Sequence, residues 1–83
     1  MNKIQMEYIR AKKAWEKAVA EEDWMMVESL EDGLLEAEES LVTWTLDTAA
    51  QSGLISTSDI YTLQKHWTMR VEQITALGLR LPA

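Results

Sequence analysis

Cysteine is absent from the 83-residue chain. That excludes disulfides, thiol nucleophiles and zinc sites built on cysteine. Phenylalanine is absent too, proline occurs once (Pro82), and the three glycines (Gly33, Gly53, Gly78) stand far apart. Isolated glycines cannot form a phosphate-cradling loop. The single histidine, His66, has no serine or cysteine nucleophile motif around it, so it reads as a surface residue on a helix. No apolar run approaches the roughly 18 residues of a membrane span. The opening Met1-Asn2-Lys3-Ile4-Gln5-Met6-Glu7 contains no apolar core of a secretory signal, so the cytoplasm is the expected location. Between Glu21 and Gln64 there is neither lysine nor arginine.

What is present is globular in proportion, with 47% apolar and 27% charged residues. The length allows one domain, residues 1–83. A domain this small buries only about 60–65% of the surface of its unfolded chain. Without disulfides or a metal, it depends on dense helix packing or oligomerisation. Trp15, Trp24, Trp44 and Trp67 favour both, since a tryptophan can bury on the order of 200 Å².

Apolar spacing predicts three helices and no strand. Ile4, Tyr8, Ala11, Trp15 and Ala18 mark one face of a helix over about 3–21. Asp23 is the expected N-cap of the next helix. Val27, Leu30, Leu34, Ala37, Leu41, Trp44 and Thr48 keep a 3-4 spacing over about 24–52, a long seam of coiled-coil character. Gly33 interrupts it chemically but not in phase. It implies a bent helix, a break at Asp32-Gly33, or close approach of another helix. Gly53 is the expected C′ residue, with Leu54 as its apolar contact. A third helix is expected to open at Ser56 with Asp59 in a capping-box variant and an Ile55/Ile60 hydrophobic staple. It buries Ile60, Leu63, Trp67, Val71, Ile74 and Leu77, and it ends at Gly78 with Leu79 touching Ile74. Pro82 forbids continuation. The expected fold is an all-α three-helix bundle, with shorter first and third helices packed on a long central one. The short 53–56 connection predicts antiparallel second and third helices. A central helix longer than its neighbours leaves part of its seam open, which a second copy would cover to give a homodimer.

Charge is distributed unevenly. Lys3, Arg10, Lys12, Lys13 and Lys17 outnumber Glu7 and Glu16 in the first twenty residues. Residues 21–64 hold Glu21, Glu22, Asp23, Glu28, Glu31, Asp32, Glu36, Glu38, Glu39, Asp47 and Asp59 against no cation, a net −11. One reading is a solvated face, partly neutralised by the basic first helix packed beside it, each pair worth about 0–1 kcal/mol. The other is a binding surface. Glu28, Asp32, Glu36 and Glu39 are spaced 4, 4 and 3, so they form a ridge with carboxylates about 5–6 Å apart. That is near the phosphate spacing of a nucleic-acid strand. Such a ridge fits a basic groove on a protein and speeds association. It would repel nucleic acid itself.

Glu28, Glu31, Asp32, Glu36 and Glu39 lack the Glu-x-x-His spacing of di-metal bundles, so no metal or other cofactor is expected. Residues 49–55 have helix-turn-helix composition, but Ile60 and Leu63 fall one place late for that motif. The run Trp24-Met25-Met26-Val27 cannot be buried in one direction. It forms either a broad core face at the helix corner or an apolar anchor for a partner. No site with converging polar groups suggests an enzyme.

In size, acidity and lack of catalytic residues the chain resembles the small acidic helical proteins of phages and mobile elements. Anti-CRISPR and anti-restriction inhibitors are examples. The resemblance implies a non-enzymatic inhibitor or adaptor. Its contacts would be Glu28, Glu31, Asp32, Glu36 and Glu39 with Trp24 and Met25, and its partner a protein with a basic, nucleic-acid-binding surface. The alternative expectation is a homodimeric structural or assembly protein.

Overall fold

The computed structural model describes residues 1–53 and 67–82. Among them are three helices and no strand: α1 (Lys3–Ala20), α2 (Trp24–Gln51) and α3 (Trp67–Arg80). Both shorter helices pack on α2. The all-α three-helix arrangement is therefore as the periodicities require.

The helix ends follow from local chemistry. Asn2 caps α1: its side chain accepts from the Gln5 N–H at 2.8 Å, and its own N–H donates to Gln5 Oε1 at 2.9 Å. This reciprocal pair satisfies two donors that a helix start otherwise leaves unpaired. At the far end Glu22 N–H reaches the Val19 carbonyl and Asp23 N–H the Ala18 carbonyl, each at 3.0 Å. That is the Schellman pattern, and it places Glu22 at φ 56°. Asp23 then caps α2, accepting from Met26 N–H at 3.2 Å. Gly53, at φ 73°, follows the Ser52 cap of α2 as the C′ residue.

α2 is continuous through Gly33, which has no atom within 4 Å of where a side chain would begin. The seam stays in register across it, so the helix neither breaks nor admits a close neighbour there. α1 lies antiparallel to α2: Ile4 sits beside Ser40, Thr43 and Trp44, and Ala11 beside Leu30, Gly33 and Ala37. α1 runs along this seam from about Leu30 to Trp44. Val27 and Leu41 are buried, and Leu30, Leu34, Ala37, Trp44 and Thr48 are half-buried.

A second buried stripe of α2 receives α3. Val42 and Leu46 form a cluster with Ile74, flanked by Val71. Gly78 lies inside α3, not at its end. A Cβ there would collide with Thr45 Oγ1 and come within 3.0 Å of Leu41 Cδ1. Its lack of a side chain is thus used for close helix contact. The helix continues to Arg80, and Leu81 N–H still reaches the Leu77 carbonyl at 3.1 Å. The expected Schellman ending at Gly78 is therefore corrected.

The direction of α3 is corrected as well. Its C-terminal end meets the start of α1, through Gln5 Nε2 donating to the Gly78 carbonyl at 2.6 Å and the Leu81 carbonyl at 3.0 Å. Val71, Glu72 and Thr75 lie beside Tyr8, Lys12, Leu35 and Glu38. α3 is thus antiparallel to α1 and follows α2 in α2's own sense. α3 as described begins at Trp67, fifteen residues (52–66) after Gln51, so its direction is not tied to the short 53–56 connection on which the antiparallel expectation rested. The expected cap at Ser56, the Ile55/Ile60 staple and His66 fall outside the described residues, as does the side chain of Trp67.

Candidate functional site

α2 carries the predicted contact residues, and Glu28, Glu31, Asp32, Glu36 and Glu39 are all exposed. At about 100° per residue, Glu28, Asp32, Glu36 and Glu39 share one side of the helix, roughly half a turn from Leu30, Leu34, Ala37 and Leu41. Glu28 and Asp32 therefore point away from α1, whereas Glu36 and Glu39 border a cleft that Ile4 of α1 also lines. Glu31 does not join the ridge. It lies on the flank that α3 covers further along, near Trp24 and Leu35 on the helix surface.

The ridge is not neutralised from α1. Among the described residues the ion pairs are Lys3–Glu7 at 3.7 Å and Lys17–Glu21 at 4.0 Å, each four residues apart along the chain. No ion pair joins α1 to the ridge among the described residues, because the apolar stripes of α1 and α2 face each other. Off the ridge, Lys12 of α1 does lie beside Glu38 of α2. The Lys12 ammonium is 5.3 Å from the centroid of the Trp15 ring.

The start of α2 adds an apolar element. Val27 is 7% exposed, whereas Trp24 is 61%, Met25 85% and Met26 47% exposed. Of the two readings of this corner, the broad core face does not form: only Val27 is buried. The Asp23 cap starts α2 immediately after the turn, before α1 can shelter its first turn. Leu35, 55% exposed, was not singled out by spacing. Its signal was the pair Leu34-Leu35: adjacent helical residues diverge by about 100°, so only one can enter the seam.

Beside the ridge, a shallow cleft of ≈ 680 Å³ is lined by Ile4, Glu36, Glu39, Ser40, Thr43, Trp44 and Asp47. It offers three carboxylates and one indole and no cation. Such a lining suits a lysine or arginine side chain, which gains both charge attraction and contact with the aromatic face. Among the described residues no group of histidine, cysteine or carboxylates is placed to hold a metal ion. No described helix is long and apolar enough to cross a membrane.

From sequence the cations of α1 stand out only by their number. Lys3, Met6, Arg10, Lys13 and Lys17 are all exposed and spaced 3, 4, 3 and 4. They form a second ridge, opposite in sign to the first. The chain matches no protein-family model, no curated protein and no solved structure.

Proposed function

We propose that the chain is a non-enzymatic interaction module, an inhibitor or adaptor that docks on a basic surface of a larger protein assembly. The observation that carries this reading is the outward face of α2. Glu28, Asp32, Glu36 and Glu39 lie along it with no ion-pair partner among the described residues. At one end Trp24, Met25 and Met26 expose large apolar surface. Tryptophan and methionine suit interface cores, and a ridge of carboxylates suits a rim that steers a basic partner into place. Glu31 extends the contact toward Leu35.

The favoured partner class is a protein whose basic groove ordinarily holds nucleic acid, because the ridge presents negative charge at comparable intervals. Inhibition then follows from occupancy: a groove filled by α2 is closed to its polyanion. In this the chain would act like the phage and mobile-element inhibitors it resembles. The cytoplasm is the compartment proposed for such a partner.

The test is capture of partners from nuclease-treated bacterial lysate on the tagged chain, with elution by rising salt. A nucleic-acid-handling protein that stays after nuclease treatment and leaves at high salt supports the reading. Undiminished capture by Glu28→Lys/Asp32→Lys/Glu36→Lys at unchanged helicity would refute it.

A further inference from the structure

We infer that the chain also binds a second copy of itself, head to tail, through the outward face of α1 on one molecule and that of α2 on the next. The inference rests on the same α2 face that the proposed function assigns to a basic partner. It names one further occupant of that face.

Three features of the two faces carry it. The first is sign. Lys3, Arg10, Lys13 and Lys17, with Met6 among them, face Glu28, Asp32, Glu36 and Glu39, with Met25 at one end, and all are exposed. The second is length. Each ridge with its methionine spans 14 residue steps (3 to 17 and 25 to 39), about 21 Å of helix. The third is height. Within one molecule Ile4 lies beside Ser40–Trp44, and Ala11 beside Gly33 and Ala37. Lys17 is therefore level with Glu28, Lys13 with Asp32, Arg10 with Glu36, and Lys3 with the segment after Glu39. A sideways shift of one copy, with no rotation and no sliding along the helix axis, brings Lys17, Lys13 and Arg10 opposite Glu28, Asp32 and Glu36. The alternation of helix direction then continues from copy to copy.

The two ridges lie on opposite edges of the molecule, since each is roughly half a turn from the stripe joining α1 to α2. One copy therefore cannot satisfy both ridges of another at once. The contact is heterologous, and it generates an open row or a ring rather than a two-fold dimer. Each copy carries a net −6, so copies repel at long range. At about 0.1 M salt the Debye length of about 10 Å screens that repulsion while leaving contacts between abutting side chains, and at about 1 M it is about 3 Å. Self-association is thus expected at moderate salt and lost at high salt. A basic partner on α2 would compete with it.

Sedimentation velocity on the purified chain reads this without any partner. The expected result is a weight-average sedimentation coefficient that rises with concentration at about 0.1 M salt and no longer does so at about 1 M. Arg10→Gln/Lys13→Gln/Lys17→Gln and Glu28→Gln/Asp32→Asn/Glu36→Gln should each be monomeric alone. Mixed, they should form a 1:1 complex that grows no further, because each keeps one intact face. Carbodiimide coupling of the wild-type chain gives a second reading that needs no variant. Amide bonds from Lys13 or Lys17 to Glu28 or Asp32 would join faces turned away from each other within one molecule, so they form only between copies. A wild-type chain that stays monomeric at moderate salt, a mixture that stays monomeric, or a dimer unaffected by both substitutions would overturn the inference. These outcomes are independent of partner capture, so the proposed function can fail while self-association stands, and the reverse.

Discussion

Gln5 shows how much a single polar side chain does in a chain this small. It is fully buried, and its amide closes two helix ends at once. Its oxygen accepts the Asn2 N–H at the start of α1, and its nitrogen donates to the Gly78 and Leu81 carbonyls at the end of α3. The Gly78 carbonyl needs this donor, because the residue four positions on is Pro82, which has no N–H. Gln5→Leu keeps the bulk and removes the donor, leaving buried carbonyls unpaired. A loss of about 2–3 kcal/mol is expected, read as a lower urea midpoint at an unchanged slope. The glycines give a pair of opposite sign. Gly33 stands in open space within a helix, so Gly33→Ala should stabilise by about 0.5–1 kcal/mol. Gly78→Ala drives a methyl into Thr45 and Leu41 and should destabilise by about 1–3 kcal/mol. Equal effects at the two sites in urea unfolding would show that α3 is not seated on Leu41 and Thr45.

Among the elements, α2 organises the rest, with one stripe for α1 and a second for α3. The first stripe was legible in sequence because Val27, Leu30, Leu34, Ala37 and Leu41 repeat in phase for four turns. The second was not. Val42, Leu46 and Ala49 sit beside the first stripe, and periodicity merges two adjacent faces into one broad one. The Asp23 cap and the Gly53 ending were legible because both are local: Asp23 accepts from Met26 three residues on, and Gly53 has no side chain to oppose its φ of 73°. The Asn2–Gln5 capping box carried the same kind of local signal and went unread. Gly78 was misread because a glycine near a helix end has two uses, a left-handed ending or a close contact, and only the position of α2 decides between them. The first turn of α2 supplies the prediction at this scale. Trp24→Ala should change stability by no more than about 0.5 kcal/mol, whereas Val27→Ala should cost about 1–3 kcal/mol. Urea unfolding of both variants checks this. A large loss at Trp24 would mean that it is covered in solution.

At the scale of the whole molecule, the fold sorts charge by edge. Packing the apolar stripes of α1 and α2 together turns a basic face outward on one side and an acidic face outward on the other. The sequence showed that the two signs are unevenly spread along the chain, with five cations to two carboxylates over 1–20, none to eleven over 21–64 and three to one over 65–83. It could not show whether antiparallel packing would pair them or part them, because that depends on the angle between charged and apolar stripes on both helices. The ridge of Glu28, Asp32, Glu36 and Glu39, with Glu31 outside it, was legible from spacing, whereas the exposure of Leu35 was not. The acidic edge is the surface on which the proposed function depends. The most direct measurement is elution of captured partners across a salt series, comparing the wild-type chain with Glu28→Lys/Asp32→Lys/Glu36→Lys and monitoring helicity by circular dichroism. The account predicts a nucleic-acid-handling protein that is retained by the wild type at low salt, released as salt rises, and lost from the variant at unchanged helicity. Retention of the same protein by the variant, at the same salt, would contradict it.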